Sequence, residues 1–255
     1  MDAKEFYDRM AVDYHLIFSG GSPMTSERQG EIIDKLLRTA LGGNGPFRVL
    51  DCSCGVGTQA FGLARLGHQV TGVDISSRAI MKAKSEAARL SLPVKFFEAD
   101  MRSLEGIEGP FDAVLSFDNS VAHLTTEADL AFALSSVLSM LRPKGVFLCS
   151  LRDYDALKNE RPTGTIPRHI KDSMGERVYV QTWDWSEDGR SYDLRLFVLK
   201  PTGANWEAQP LLTKMRAYSR GEIVTEAEKT GFESGEWLFA NQTEYYQPIF
   251  MARKG

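Results

Sequence analysis

Apolar residues recur along this chain in two alternating rhythms. A short apolar run over 47–50 is closed by Asp51, and a second ends at Asp74. Runs over 94–100, 111–117 and 146–151 repeat the theme, and such runs, bounded by turn residues, predict strands of a buried sheet. Between them the period changes to that of a helix. Ile32, Ile33, Leu36, Leu37, Ala40 and Leu41 mark one face over 26–41, and Gly42-Gly43 ends it. Ser76 can cap a helix reaching about Leu90. Thr125 or Thr126 can cap another that buries Leu130, Leu134, Val137, Leu138 and Leu141. Strand and helix in alternation predict an α/β fold, a doubly wound, seven-stranded, mostly parallel sheet.

Beyond residue 151 the pattern shifts. Residues 158–175 are polar and broken by Pro162 and Pro167, so a loop is expected. Residues 176–185 are strand-like, Asp188-Gly189 is a hairpin signal, and 191–200 alternates through Tyr192, Leu194, Leu196 and Val198. With a third run over 206–217, this predicts a three-stranded antiparallel insert over 158–218, placed to cap a small substrate. Ser219-Arg-Gly-Glu222 fits a capping box before a helix that Gly231 ends. Two final strands, 236–243 and 245–253, would complete the sheet, so 219–255 returns to the core formed by 1–157. The aromatic N-terminal stretch (Phe6, Tyr7, Tyr14, His15, Phe18) can fold as a flap over a ligand or as a helix packed on the domain edge.

The chemistry concentrates where the first two strands meet their turns. After Asp51 come Cys52-Ser53-Cys54, then Gly55-Val56-Gly57, a helix-like stretch and Asp74. Glycines let a ligand approach the backbone, the helix start offers free N–H groups, and an acid closing the second strand can accept two ribose hydroxyls. The spacing also fits a dinucleotide fingerprint, whose acid lies about 20 residues on. Asp51 argues against it, because a pyrophosphate placed there would be repelled while a cationic ligand would be attracted. S-adenosylmethionine meets that requirement: it carries a sulfonium and an ammonium and has no phosphate. The residues at the carboxyl end of the fourth strand, Asp118-Asn119-Ser120, should face the same crevice, where the Asn119 carbonyl can accept a hydrogen bond from a substrate amine. Arg152, just past the fifth strand, has the fork geometry that grips a carboxylate, or it pairs with Asp153 or Asp155.

The stretch V-L-D-C-S-C-G-V-G over 49–57 resembles motif I of class I S-adenosylmethionine-dependent methyltransferases. Asn119-Ser-Val-Ala-His123-Leu and Leu141-Arg-Pro-Lys-Gly-Val-Phe-Leu-Cys-Ser-Leu-Arg152-Asp-Tyr154-Asp resemble, more specifically, the glycine and sarcosine N-methyltransferase group. The resemblance implies that Asp51, Cys52, Ser53, Cys54, Gly55 and Gly57 lie by the methionine part of the cofactor. It places Asp74 and Ile75 at the ribose, Asp100 at the adenine amino group and Met101 on the ring. Phe117 and His123 are further candidate cofactor contacts. Arg28 matches an arginine that binds the cofactor carboxylate, and the family's flap tyrosine, which lies near the substrate, falls nearest to Phe18 or, under another alignment, to Tyr14, a candidate cofactor contact. Arg152 matches the arginine that holds the substrate carboxylate, and Tyr246 a tyrosine near the substrate. Tyr218, on the return path from the insert, is a further candidate for the site. Each has a plainer reading: a surface arginine for Arg28, a turn acid for Asp100, core filling for Met101, a structural hydrogen-bonder or a general base for His123, a buried strand tyrosine for Tyr246.

Composition narrows the partners. The chain has 255 residues with a formal net charge of −4 and no basic stripe, and no Asn/Asp-Pro-Pro-aromatic run follows the fourth strand, which disfavours nucleic acid. Three cysteines make neither a metal set nor a disulfide framework, no apolar stretch approaches the roughly 18 residues of a membrane span, and the N-terminus does not read as a signal peptide. A cytoplasmic enzyme acting on a small molecule is expected. Competing readings are methyl transfer to another small amine, a carboxylate or a phenol, a non-catalytic S-adenosylmethionine-binding protein, and an NAD-dependent oxidoreductase.

Overall fold

The computed structural model describes residues 1–18 and 24–255, with side chains for all of these except 12–18 and 234. Helix α1 (Ala3–Phe18) and helix α2 (Ser26–Leu41) lead into the alternating core: β1 (Arg48–Asp51), α3 (Thr58–Arg65), β2 (Gln69–Asp74), α4 (Ser77–Leu90), β3 (Lys95–Glu98) and β4 (Phe111–Ser116). A 3₁₀ turn (Ser120–His123), α5 (Glu127–Met140) and β5 (Leu141–Ser150) follow. The expected caps form: Ser76 accepts from Ala79 N (3.1 Å), and of the two threonines it is Thr126 that accepts from Asp129 N (3.0 Å). The fifth strand begins at Leu141, five residues before the run that predicted it. It pairs with Phe111 there, and the register shifts around Pro143-Lys144-Gly145 before regular pairing resumes at Val146.

After α6 (Tyr154–Glu160) come β6 (Arg168–Asp172), β7 (Gly175–Trp185), β8 (Ser191–Thr202), β9 (Asn205–Glu207) and β10 (Leu211–Arg216). They form a five-stranded antiparallel sheet in the order β10-β8-β7-β6, with β9 on β8, in place of the three strands expected. The expected loop over 158–175 thus contains the end of a helix and a strand. All of β6 except Ile170 is exposed, so no apolar alternation marks it. It is held by its hairpin with β7 and by the Arg177 fork on Asp172 (2.9 Å to each oxygen). Pro210 separates β9 from β10, dividing the run over 206–217.

The chain closes with α7 (Arg220–Thr230), β11 (Phe232–Leu238), α8 (Ala240–Thr243) and β12 (Ile249–Lys254). The capping box on Ser219 and Glu222 is formed, and Gly231 ends α7 in a left-handed turn. The last strands are shorter than expected, because 240–243 turns into a helix and Tyr245 and Tyr246 sit in the loop before β12. The seven-stranded sheet runs β11-β12-β5-β4-β1-β2-β3, with β12 antiparallel to β5 and to β11 and the other neighbours parallel. Strand order reverses between β1 and β4, and ligands in such sheets bind at the carboxyl ends beside that switch point.

Two apolar clusters cover the faces. One joins α2, α3 and α4 to the sheet; the other joins α5, α7, the antiparallel sheet and Phe6 and Met10 of α1. Helix α1 packs against α4 and β10, so the N-terminal stretch is a helix that also walls the crevice. Helices α2 and α3 touch backbone to backbone: a Cβ on Gly30 would lie 2.5 Å from Gly62 C, and one on Gly62 would lie 2.2 Å from Ser26 O. Only glycine permits this approach. It brings Gln29 of α2 within 2.8 Å of Gln59 of α3, behind the crevice.

Candidate active site

The carboxyl ends of β1, β2, β4 and β5, the start of α1 and one face of the antiparallel sheet enclose a cavity of about 1020 Å³. At its inner end β1 delivers Asp51, fully buried directly behind the cavity-lining Cys52 and Ser53. One Asp51 oxygen accepts a long bond from Ser53 N (3.4 Å), and the other has no partner among the described residues. Burial, with a smaller push from the charges of Asp74 and Asp118, raises its pKa to about 8 against the single Ser53 bond. The ordinary carboxyl pKa is 3.8, so between these values the folded chain holds a proton that the unfolded chain has released. Stability of the ligand-free protein therefore falls as pH rises through that window. Asp51→Asn should remove this slope. Its melting temperature at pH 8.5 is expected to exceed that of the unaltered protein by at least about 2–4 °C, the equivalent of ~1 kcal/mol at this size, with the gap closing at pH 5.

Gly55 has φ +53° and lines the cavity, and a Cβ there would meet nothing within 4 Å among the described residues, so the backbone is open to a ligand on that side. Its N–H donates to Asp74 Oδ2 (2.8 Å), and Ser76 N donates to Oδ1 (2.9 Å). These bonds aim the carboxylate while leaving a lone pair on each oxygen for ligand hydroxyls. Gly57 is the left-handed residue that starts α3 and does not itself line the cavity. Burial pushes the Cys52 and Cys54 thiols well up, so neither is a thiolate. Ile75, Asp100 and Met101 line the outer end. Burial raises the Asp100 pKa, but the Arg102 guanidinium (2.6 Å from Nη2) and backbone N–H (2.9 Å) outweigh it and hold the carboxyl below its ordinary value.

The opposite end is built by β4, β5 and the antiparallel sheet. Asn119 is buried with φ +70°; its Oδ1 accepts from Arg152 N (3.0 Å) and its Nδ2 donates to the Tyr154 hydroxyl (2.9 Å). The Arg152 guanidinium donates to the Tyr192 hydroxyl (2.7 Å) and to Gln181 Oε1 (3.2 Å), and lies 4.5 Å over the Trp183 ring. Asp153 and Asp155 pair with Arg220 instead (2.6 and 3.1 Å). Arg152 thus sits in the cavity with no carboxylate partner among the described residues. His123 and Phe117 also line the cavity, and the His123 Nε2 lies 2.9 Å from the Tyr7 hydroxyl, tying α1 to the site. Burial, with Arg152 nearby, lowers the His123 pKa to about 4, so its ring is neutral at physiological pH.

Other candidates fall elsewhere. Tyr218 does not reach the cavity: its hydroxyl donates to the carbonyls of Leu124 and Thr126, clamping the start of α5. Arg28 lies on the exposed side of α2, paired with Glu31 (3.1 Å) and Glu244, and does not line the cavity. Tyr246 does line it, from a loop and 39% exposed, which excludes the buried strand tyrosine. The side chains of Tyr14 and Phe18 lie outside the described residues. Sequence reasoning placed Asp118 at the crevice beside Asn119 but gave it no role. It also missed Gln181 and Tyr192, which become visible only once the antiparallel sheet is folded over the crevice.

Residues 49–145 match the family model described as "Methyltransferase domain". The chain carries a class I S-adenosylmethionine-dependent methyltransferase domain. Curated relatives include a putative methyltransferase, YqeM, of Bacillus subtilis (32% identical, covering 49% of this chain and 50% of that protein). Another is a glycine/sarcosine N-methyltransferase of Aphanothece halophytica (30% identical, 64% of this chain and 59% of that protein). The chain spans about half the length of the curated relatives it matches, 50% and 43% for the first two. The CcbJ methyltransferase of Streptomyces caelestis shares the fold over all of both chains, with a TM-score of 0.78 at 19% identity. An S-adenosylmethionine-dependent methyltransferase of Clostridium acetobutylicum aligns over 98% of this chain and 99% of its own, with a TM-score of 0.77. The methyltransferase domain fits its cofactor on its own geometry. An open glycine backbone, an aimed Asp74 carboxylate and a buried Asp51 oxygen without a partner suit a ligand that carries vicinal hydroxyls and positive charge. No helix among the described residues is long and apolar enough to cross a membrane.

Proposed function

We propose that this chain transfers the methyl group of S-adenosylmethionine to the amine of a small amino acid such as glycine or sarcosine. The observation that carries the reading is Arg152, a cation inside the cavity that, among the described residues, is held by neutral groups alone, Tyr192, Gln181 and the face of Trp183. Such a guanidinium calls for an anionic ligand, and its planar fork matches a carboxylate. Relatives named glycine/sarcosine N-methyltransferase support the same acceptor class.

The bound cofactor supplies a methyl on a sulfonium, which is already a good leaving group. The acceptor nitrogen forms the N–C bond with its lone pair as the C–S bond breaks and its electron pair goes to sulfur; the new ammonium then releases a proton to solvent. This chain's part is positioning. Asp74 and the glycine turn fix the methyl donor, Arg152 fixes the acceptor carboxylate, and Asn119, whose Oδ1 already bonds Arg152 N, joins the two halves of the site. Holding two reactants in line contributes up to roughly 7–11 kcal/mol. His123, with a pKa of about 4, is far too weak a base to deprotonate an alkylammonium, so it is not the group that frees the amine's lone pair.

A second reading has one observation in its favour. Leu194, Leu196, Met215 and Trp183 give the cavity an apolar wall larger than glycine would use, which suits a bulkier amine, carboxylate or phenol. Methyl transfer from labelled S-adenosylmethionine to glycine, sarcosine, dimethylglycine, other amino acids, simple amines and phenols decides between them. Transfer to glycine or sarcosine is expected. Transfer confined to acceptors without a carboxylate would reject the amino-acid reading.

A further inference from the structure

We propose that Asp118 is the receptor for a primary ammonium at the methyl-transfer end of the cavity. Its carboxylate lines the cavity and is held by three neutral donors. Gln59 Nε2 donates to Oδ2 (2.8 Å), and the Tyr245 hydroxyl (2.7 Å) and Tyr246 hydroxyl donate to Oδ1. Burial keeps the Tyr245 hydroxyl protonated, with its pKa raised well above the usual value, so it remains a donor. No lysine or arginine among the described residues pairs with Asp118; the nearby Arg28 is engaged by Glu31 and Glu244. Neutral donors fix a negative charge in place without cancelling it, so the counter-ion is left to the ligand.

The backbone supports the assignment. Asp118 and Asn119 both have positive φ, 57° and 70°, two adjacent non-glycine residues in the left-handed region. Strain of this kind persists where surrounding bonds over-determine it, and it collects at binding sites. Here Asp118 N donates to Ser150 Oγ (2.8 Å) and Asn119 N to Ser150 O (3.1 Å). The turn thereby points one residue's carboxylate and the next residue's amide toward the reacting centre. Gln59 stands one residue into α3, behind the glycine turn, so Asp118 bridges the donor side to Tyr246 and the acceptor side.

Two ligands carry a primary ammonium there: the cofactor, through its α-amino group, and, resting on the amino-acid reading above, the acceptor in its protonated form. Calorimetry with the full chain separates them. S-adenosylhomocysteine is compared with its deaminated analogue, and glycine with glycolate in the presence of S-adenosylhomocysteine, in the unaltered protein and in Asp118→Asn and Asp118→Ala. Preference for the amine-bearing ligand of at least about tenfold, falling to within about twofold in both variants, is expected for one pair. The S-adenosylhomocysteine pair would assign the site to the cofactor, and the glycine pair to the acceptor. Equal affinity within both pairs in the unaltered protein would overturn the proposal, as would variants that weaken both members of each pair alike. The cofactor pair reads out even if no amino acid is methylated, so failure of the acceptor assignment and failure of the Asp118 site are distinguishable.

Discussion

Asp74→Ala is expected to remove measurable binding of S-adenosylhomocysteine at concentrations that saturate the unaltered protein. The carboxylate lines the cavity, is aimed by Gly55 N and Ser76 N, and keeps a free lone pair on each oxygen. Two hydrogen bonds from ligand hydroxyls to a charged acceptor contribute about 1.5–3 kcal/mol each, so their loss weakens binding on the order of 10²–10⁴-fold. The same change also releases the Gly55 amide and loosens the turn that the ligand lies against. Folding should survive it. Burial raises the Asp74 pKa against its two backbone bonds, and Asp8 adds charge of the same sign, so the free protein sheds an unfavourable charge with the side chain. Calorimetric titration together with a melting curve checks both halves. A variant that binds within tenfold of the unaltered protein would reject Asp74 as the ribose anchor.

What the sequence disclosed about this site follows the range of the interactions involved. The turn from Asp51 to Gly57 and the acid at Asp74 are local: strand, turn, helix start and second strand lie within 28 residues, and each step has its own residue signature. The caps at Ser76, Thr126 and Ser219 are local too, a side chain bonding a backbone N–H three residues on. The antiparallel sheet was legible only where a strand buries one face. β8 alternates and β7 carries aromatics, whereas β6 has one apolar residue, Ile170, and depends on a hairpin and an ion pair. Roles that depend on distant contacts were not legible. Tyr218 and Tyr246 look alike in sequence, yet one hydroxyl is spent on backbone carbonyls of the α5 start while the other meets Asp118. Whether Arg152 would meet Asp153, Asp155 or nothing charged depended on Arg220, 65 residues or more away, taking both acids.

That outcome for Arg152 gives the second large effect. Arg152→Lys should lower kcat/KM for the amino acid by about 10²–10³-fold while leaving the dissociation constant of S-adenosylhomocysteine within about twofold. The variant keeps the charge, so electrostatic attraction alone would predict little change. What it loses is geometry. A single ammonium cannot donate to Tyr192 and Gln181 and still present two parallel N–H groups, and it lacks the flat face that stacks on Trp183. The acceptor would then be held by one point and free to swing, and the nitrogen would leave the line of the breaking C–S bond. The loss should appear mainly in kcat/KM for carboxylate-bearing acceptors. For a simple amine without a carboxylate, unaltered and variant proteins should be equally slow. If Arg152→Lys kept full activity on glycine or sarcosine, the carboxylate clamp would be wrong, and the apolar wall of Leu194, Leu196 and Met215 would become the better guide to the acceptor.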